Sequence, residues 1–210
     1  MKLPNKCPIK SKELSCIFFT SGSTGIPKGV KISYSSMIES LSHQIKNLGY
    51  STSDTFSDFH ESSFVMSLNT ILPCIQLGAS ITPFKEENDK MFGAEIIKKN
   101  NVSVLITVPS YILFLKNLIK KKIIIKNIIL CGESFSLNTF NIIKNKYKFK
   151  NLYNCYGATE LSPWAFSYKF SRKDEKIIKK KTQVPIGVPF NGVKIKKSKT
   201  GEMLISGDIL

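Results

Sequence analysis

The chain has 210 residues, 42% of them hydrophobic, and a formal net charge of +16; this length suits one domain, or one large and one small, with enough apolar material for a buried core. The charge does not mark a nucleic-acid binder, because Arg172 is the only arginine among 31 basic side chains and readers of phosphates and bases favour the arginine fork. Lysine-rich solvated faces account for it instead, and no apolar run reaches the ~20 residues that a membrane-crossing helix needs.

In chain order, residues 15–20 read as a short strand that delivers a loop rich in glycine and hydroxyls, and residues 29–33 as a second strand. Ser36 and Glu39 have capping-box spacing, and Met37, Ile38, Leu41, Ile45 and Leu48 follow at helical intervals until Gly49. Residues 64–77 predict a helix closed by Gly78, with Pro73 inside it, and 79–82 a strand behind it. The alternation continues with a helix at 90–100, a strand at 102–107, a helix at 111–120, a strand at 126–131, a helix at 137–146 and a strand at 152–155. Such alternation predicts an α/β fold, a parallel-rich layered sheet with flanking helices. Residues 171–181 are charged and read as a surface loop. Residues 193–197 and 203–206 flank Ser198-Lys199-Thr200-Gly201 as a β-hairpin. The N-terminal stretch lacks the apolar segment of a signal peptide, and Cys7, Cys16, Cys74, Cys131 and Cys155 show no C-x-x-C spacing. They read as thiols of a reducing compartment, so the expected location is the cytoplasm.

The loop itself carries the first chemistry. Thr20, Ser21, Gly22, Ser23, Thr24 and Gly25 bring together backbone amides free of Cβ obstruction and several hydroxyls, a composition suited to wrapping phosphate oxygens. Lys28 adds a positive charge that a polyphosphate would attract. Ligands of open α/β sheets bind beyond the carboxyl ends of the strands, which is where this loop is expected. The order of residues is not that of a P-loop: G-x-x-x-x-G-K-[ST] does not occur.

The run T-S-G-S-T-G-x-P-K-G resembles the phosphate-binding loop of adenylate-forming enzymes, the superfamily of acyl-CoA synthetases, luciferases and peptide-synthetase adenylation domains. Asn154-Cys155-Tyr156-Gly157-Ala158-Thr159-Glu160 is similar to that family's N-x-Y-G-x-T-E. Cys131-Gly132-Glu133, Pro185-Ile186-Gly187-Val188-Pro189 and Gly201-Glu202-Met203-Leu204-Ile205 fall in the family's order, so the likeness runs from about Ile17 onward. It implies that Tyr156 stacks on adenine, Asn154 meets its exocyclic amine, and Gly132 and Glu133 line the adenine pocket. Thr159 would contact the α-phosphate region and Glu160 would help hold Mg²⁺. It also implies a reaction: a carboxylic acid attacks ATP, pyrophosphate leaves, and the acyl-adenylate passes to the thiol of CoA or of carrier-protein phosphopantetheine. Lys28, Thr159 and Glu160 are the expected catalytic residues. Residues 1–170 would form the α/β core with the phosphate loop and adenine segment, and 171–210 a linker and the start of a β-rich subdomain.

Positions matching the family's acyl-pocket walls are Val65, Met66, Asn69, Thr107, Ile129, Cys131, Cys155, Pro163 and Trp164, and none is acidic. Amino-acid-activating members carry an aspartate where Val65 stands, paired with the substrate's ammonium. Phe59-His60 resembles the F-H of acyl-CoA ligases, which adds His60 to the pocket. A buried ammonium without a counter-charge is costly, so the expected substrate is an acid without an α-amino group. The alternatives are an amino acid, with Asp58 or Glu61 as counter-charge, and a nucleotide-binding remnant that does not catalyse. Tyr34 stands where many members have histidine. The family's ribose-binding aspartate, hinge and catalytic lysine have no match, Asp208 belonging to an earlier block. The expectation is a partial chain, weak or inactive by itself, that works with a separately encoded C-terminal lobe.

Overall fold

A computed structural model describes residues 12–21, 25–171, 174–176 and 182–207. Gly22, Ser23, Thr24, Cys7, Arg172 and Asp208 lie outside the described residues. Strands β1 (Leu14–Thr20) and β2 (Lys28–Ser33) pair antiparallel, Thr20 opposite Lys28, so the phosphate-loop motif connects the two arms of a hairpin. This corrects one expectation: the loop does not extend a strand of the parallel sheet. Helix α1 (Tyr34–Asn47) follows directly. Its cap is Ser33, which accepts a hydrogen bond from the Ser36 backbone at 3.2 Å, three residues before the predicted start. Ser36, the predicted cap, lies buried in the first turn.

Seven strands form one sheet in the order β4-β3-β5-β6-β7-β8-β9. These are β3 (Thr55–Asp58), β4 (Ser80–Pro83), β5 (Val104–Thr107), β6 (Ile123–Leu130), β7 (Tyr147–Tyr156), β8 (Phe166–Lys169) and β9 (Val188–Pro189). The first five pair parallel, and β8 and β9 add antiparallel pairs at one edge. The sequence reading missed β3, β8 and the two-residue β9, and shortened β6 and β7. A separate hairpin, β10 (Val193–Lys197) with β11 (Met203–Gly207), stands where it was predicted.

Helices cover both faces. Residues Val65–Ser67 form a 3-10 turn that leads into α2 (Leu68–Leu77), which contains Pro73 and ends at Gly78 with φ 65°. The left-handed cap is one that glycine adopts without a Cβ penalty. The predicted helix at 90–100 is a 3-10 turn over Glu87–Phe92 followed by α3 (Gly93–Lys99). Helix α4 (Pro109–Leu115) is shorter than predicted, and α5 (Leu137–Lys146) matches its predicted bounds. Ala94, Ile97, Ile112, Leu115, Phe140 and Ile143 of α3, α4 and α5 pack with Leu105, Ile128 and Leu130 of the sheet. Leu48, Met66 and Cys74 pack on the other side with Phe56, Ile106, Ile129 and Cys155. Each fully buried aliphatic side chain contributes about 1.5–3 kcal/mol, so these two layers fix the strand ends from which the site is built.

Candidate functional site

The register of the parallel strands decides what meets at their carboxyl ends. Thr107 pairs with Leu130, and Leu130 with Asn154. Beyond that line emerge Val108, then Cys131-Gly132-Glu133, then Cys155-Tyr156-Gly157, side by side. Ligands of open sheets bind at this edge, and two cavities lie along it.

The first, of about 350 Å³, is lined by Gly132, Glu133, Ser134, Phe135, Asn154, Cys155, Tyr156, Gly157, Gln183, Val184 and Ile186. Tyr156 is 39% exposed and its ring is held edge-on by Phe166, with centroids 5.7 Å apart. The Asn154 amide nitrogen donates to the carbonyl oxygens of Pro185 at 2.9 Å and Val184 at 3.4 Å. Those bonds tie the 184–185 segment to the cavity and leave the amide oxygen as acceptor. Both Glu133 carboxylate oxygens are taken, by the Ser110 backbone N–H at 2.8 Å and the Ser110 hydroxyl at 2.7 Å. The carboxylate is thus committed to the head of α4, whose unpaired amides favour a negative group.

The second cavity, of about 160 Å³, is lined by Phe64, Val65, Met66, Cys131, Gly132, Gly157, Ala158, Thr159, Pro163 and Trp164. The two cavities share Gly132 and Gly157 and so adjoin. Gly132 sits at φ 80°. A Cβ on Gly157 would run into the backbone carbonyl of Pro163, so glycine is what allows the two walls to close on each other. The second cavity is apolar: the Trp164 indole N–H donates to Cys131 Sγ at 3.1 Å, and Cys131 Sγ to Met66 Sδ at 3.2 Å. Burial pushes the Cys131 thiol up to about 12, against a smaller opposing effect of the Trp164 hydrogen bond. Burial, then the nearby Cys131, pushes Cys155 well above the usual thiol range. Both thiols are neutral near pH 7, and among the described residues no charged side chain lines this cavity.

The hairpin closes the arrangement from the third side. Lys28 begins β2 and is exposed, as is Ser21, while the Thr20 hydroxyl donates to the Lys28 carbonyl oxygen at 3.5 Å. Strand β2 packs against the 3-10 turn Thr159–Leu161, which presents Thr159 half-buried and Glu160 exposed. Thr159, Tyr156 and Gly132 line the two adjoining cavities, and β2, which begins at Lys28, packs against the turn that carries Thr159 and Glu160.

Other expected pocket residues lie elsewhere. Ile129 and Asn69 are buried in the interior and line neither cavity. Asn69 accepts from the Gln44 amide at 2.7 Å. Thr107 and His60 line a third cavity of about 380 Å³ with Phe59, Phe84 and Tyr111. Burial lowers His60 to about 4, opposed by a backbone hydrogen bond at Ile106, so the ring is neutral near pH 7. Asp58 and Glu61, the alternative counter-charges, line a cavity that adjoins this third one and shares Phe59, His60 and Phe84 with it, away from the other two. Phe135, Gln183, Val184 and Ile186 were missed as wall residues, although the last belongs to a motif block recognised in the sequence. Among the described residues no group of three histidine, cysteine or acidic side chains could hold a metal ion. None of their helices is long and apolar enough to cross a membrane.

This mostly parallel α/β sheet with its flanking helices is the fold of the N-terminal domain of adenylate-forming enzymes. The chain belongs to the AMP-binding enzyme family, whose model matches residues 2–209. It is similar to the D-alanine–D-alanyl carrier protein ligase of Staphylococcus epidermidis, 28% identical over 206 residues that cover 95% of this chain and 42% of the relative. The chain therefore spans less than half the length of the curated relatives it matches. Among solved structures, the Klebsiella oxytoca NpsA N-terminal subdomain in complex with 3-hydroxybenzoyl-AMSN aligns with a TM-score of 0.81 at 23% identity, covering 99% of this chain and 55% of that one. The O-succinylbenzoate coenzyme A synthetase of Bacillus subtilis aligns with a TM-score of 0.77 at 15% identity, covering 96% and 42%. Both are likenesses of fold.

Proposed function

We propose that this chain is the nucleotide- and acid-binding part of a ligase that converts a carboxylic acid to its acyl-adenylate with ATP and then passes the acyl group to a thiol. One observation carries the reading: a cavity bearing Tyr156 and Asn154 adjoins an apolar cavity bearing Val65, Met66, Cys131 and Trp164, and the two meet at Gly132 and Gly157. Adenine would occupy the first, with Tyr156 as its shelf and the Asn154 amide oxygen accepting from its amine. The acyl group would occupy the second, placing the carboxylate at the junction beside Thr159. The carboxylate oxygen forms a bond to the α-phosphorus, the bond to pyrophosphate breaks, and the thiol later displaces AMP from the acyl carbon. The protein's part is to hold the two reactants in line and to offset spreading negative charge. Lys28 and the loop amides would hold the departing pyrophosphate.

Glu160 fits a Mg²⁺ ion held mainly by phosphate oxygens and water with one protein carboxylate, the usual pattern for this ion on nucleotides. When bound, the ion would neutralise phosphate charge. The chain spans 42% of its matched relative, and a C-terminal lobe is the proposed complement for efficient turnover. The relative's name favours carrier-protein phosphopantetheine over CoA as acceptor. The free thiols Cys16, Cys74, Cys131 and Cys155 suit the cytoplasm.

The uncharged second cavity supports an acid without an α-amino group. A second reading, an amino acid, is favoured by the D-alanine ligase relative. Calorimetry with non-hydrolysable acyl-adenylate analogues separates them: binding of small aryl or alkanoyl analogues at least tenfold tighter than of alanyl or glycyl analogues is expected. The reverse order would give the amino-acid reading, and no binding of any analogue would leave neither.

A further inference from the structure

Ser33, half-buried, and the buried Ser36 and Ser162 form a hydroxyl chain where the hairpin leads into α1. Ser33 ends β2 and caps α1. The Ser36 hydroxyl donates to the Ser33 carbonyl oxygen at 3.0 Å and accepts from the Ser162 hydroxyl at 3.1 Å, across 126 positions of sequence. Ser36 is 1% exposed and Ser162 4%. Ser162 follows the turn that presents Thr159 and Glu160, and it holds φ 52°. Non-glycine residues seldom adopt that conformation. Glycine would make the turn with less strain, yet a serine stands here, and its hydroxyl is the part that reaches Ser36.

The bond joins two bodies that a nucleoside triphosphate must touch together. On one side is the first turn of α1, bonded to Ser33 at the end of the strand that begins at Lys28; on the other is the turn with Thr159 and Glu160, continuous with Tyr156 and Gly157. A nucleoside alone needs only the cavity between β6 and β7. We infer that Ser36 and Ser162 are positioning residues that set the spacing between the phosphate-side hairpin and the Thr159–Glu160 turn. This rests on the nucleotide reading above.

The test measures ATP and adenosine affinity of the 210-residue chain by calorimetry for wild type, Ser162→Gly, Ser36→Ala and the double variant, with a melting curve for each. Losing one neutral buried hydrogen bond predicts ATP binding weaker by about three- to tenfold in Ser162→Gly, and at least as much in Ser36→Ala, which also loses its bond to the Ser33 carbonyl, with adenosine within about twofold in both. The double variant loses no more than the worse single one, because both remove the same bond. Ser162→Gly suits the left-handed backbone, so it keeps the fold and carries the test alone if Ser36→Ala does not fold. Equal losses for ATP and adenosine, unchanged ATP affinity, or additive losses in the double variant would overturn the inference. A wild-type chain that binds neither adenosine nor ATP would overturn the nucleotide reading, and the inference with it.

Discussion

Replacing Val65 by aspartate puts the family's ammonium-pairing carboxylate into a cavity that has nothing to pair with it. Val65 is 5% exposed, and its neighbours in the cavity wall are Phe64, Met66, Cys131, Pro163 and Trp164. A buried charge without a partner costs about 3–5 kcal/mol. At 1.36 kcal/mol per pKa unit, a cost near 4 kcal/mol raises the carboxyl by about three units, from about 4 to about 7. The folded-state value then lies above the unfolded one, so the folded state binds the extra proton and stability falls as pH rises between them. Val65→Asp should therefore lose about 1–3 kcal/mol at pH 4, where the neutral carboxyl lacks a hydrogen-bond partner, and about 4 kcal/mol more by pH 8. Urea melts at four or five pH values read this directly, and an alanyl-adenylate analogue should restore part of the loss at pH 8 while an alkanoyl analogue should not. A variant as stable as wild type at pH 8 would mean that Val65 is not held among apolar side chains away from water, and the argument against an amino-acid substrate would lose its basis.

Three further outcomes follow from the geometry. Gly157→Ala forces a Cβ against the Pro163 carbonyl, so the variant should lose about 1–3 kcal/mol of stability and most of its adenosine affinity, checked by melting and calorimetry; normal binding would contradict the shared wall. Tyr156→Ala removes the proposed adenine shelf and should weaken adenosine binding by about 1–3 kcal/mol, with little change in melting temperature because the ring is part exposed. At the opposite edge of the sheet, burial would raise the Asp54 carboxyl. Hydrogen bonds from Lys126 at 2.6 Å, Ser103 at 2.8 Å and Ser51 outweigh it and hold it below the usual range. Its folded-state value is depressed, so this stability is present above the unfolded value near 4 and is lost as pH falls through the folded one; Asp54→Asn should flatten the acid limb of a stability–pH curve, and an unchanged limb would count against that network.

The elements that the sequence revealed are those with strong local signals. The segment 137–146 was readable because Leu137, Phe140 and Ile143 recur at helical spacing behind Ser136, whose hydroxyl accepts from the Thr139 backbone. Strand β3 was not, because Thr55-Phe56-Ser57-Asp58 offers a single strong apolar residue in a serine- and aspartate-rich stretch. It is nonetheless central, its Ser57 hydroxyl accepting from the Ile106 backbone at 3.0 Å. Strand β8 alternates Phe-Ser-Tyr-Lys and was open to detection by period, but it follows the motif block closely and was passed over. At the site, residue types pointed to the glycine-rich loop and to the 154–160 block, whereas the long-range partners did not show. The capture of Glu133 by Ser110, of Asn154 by Pro185 and of Ser36 by Ser162 depends on strand register, which no local window carries. The same holds for the hairpin: the motif specifies amides and hydroxyls, but whether they extend a parallel strand or bridge an antiparallel pair depends on what Leu14–Thr20 finds to pair with.

A crystal structure of the chain soaked with ATP tests the account most directly. The adenine ring is expected against Tyr156 beside Gly132, with the terminal phosphates turned toward the hairpin and within ion-pair reach of Lys28. A nucleotide whose base lies outside the cavity of Asn154 and Tyr156, or whose phosphates point away from Lys28, would contradict the account.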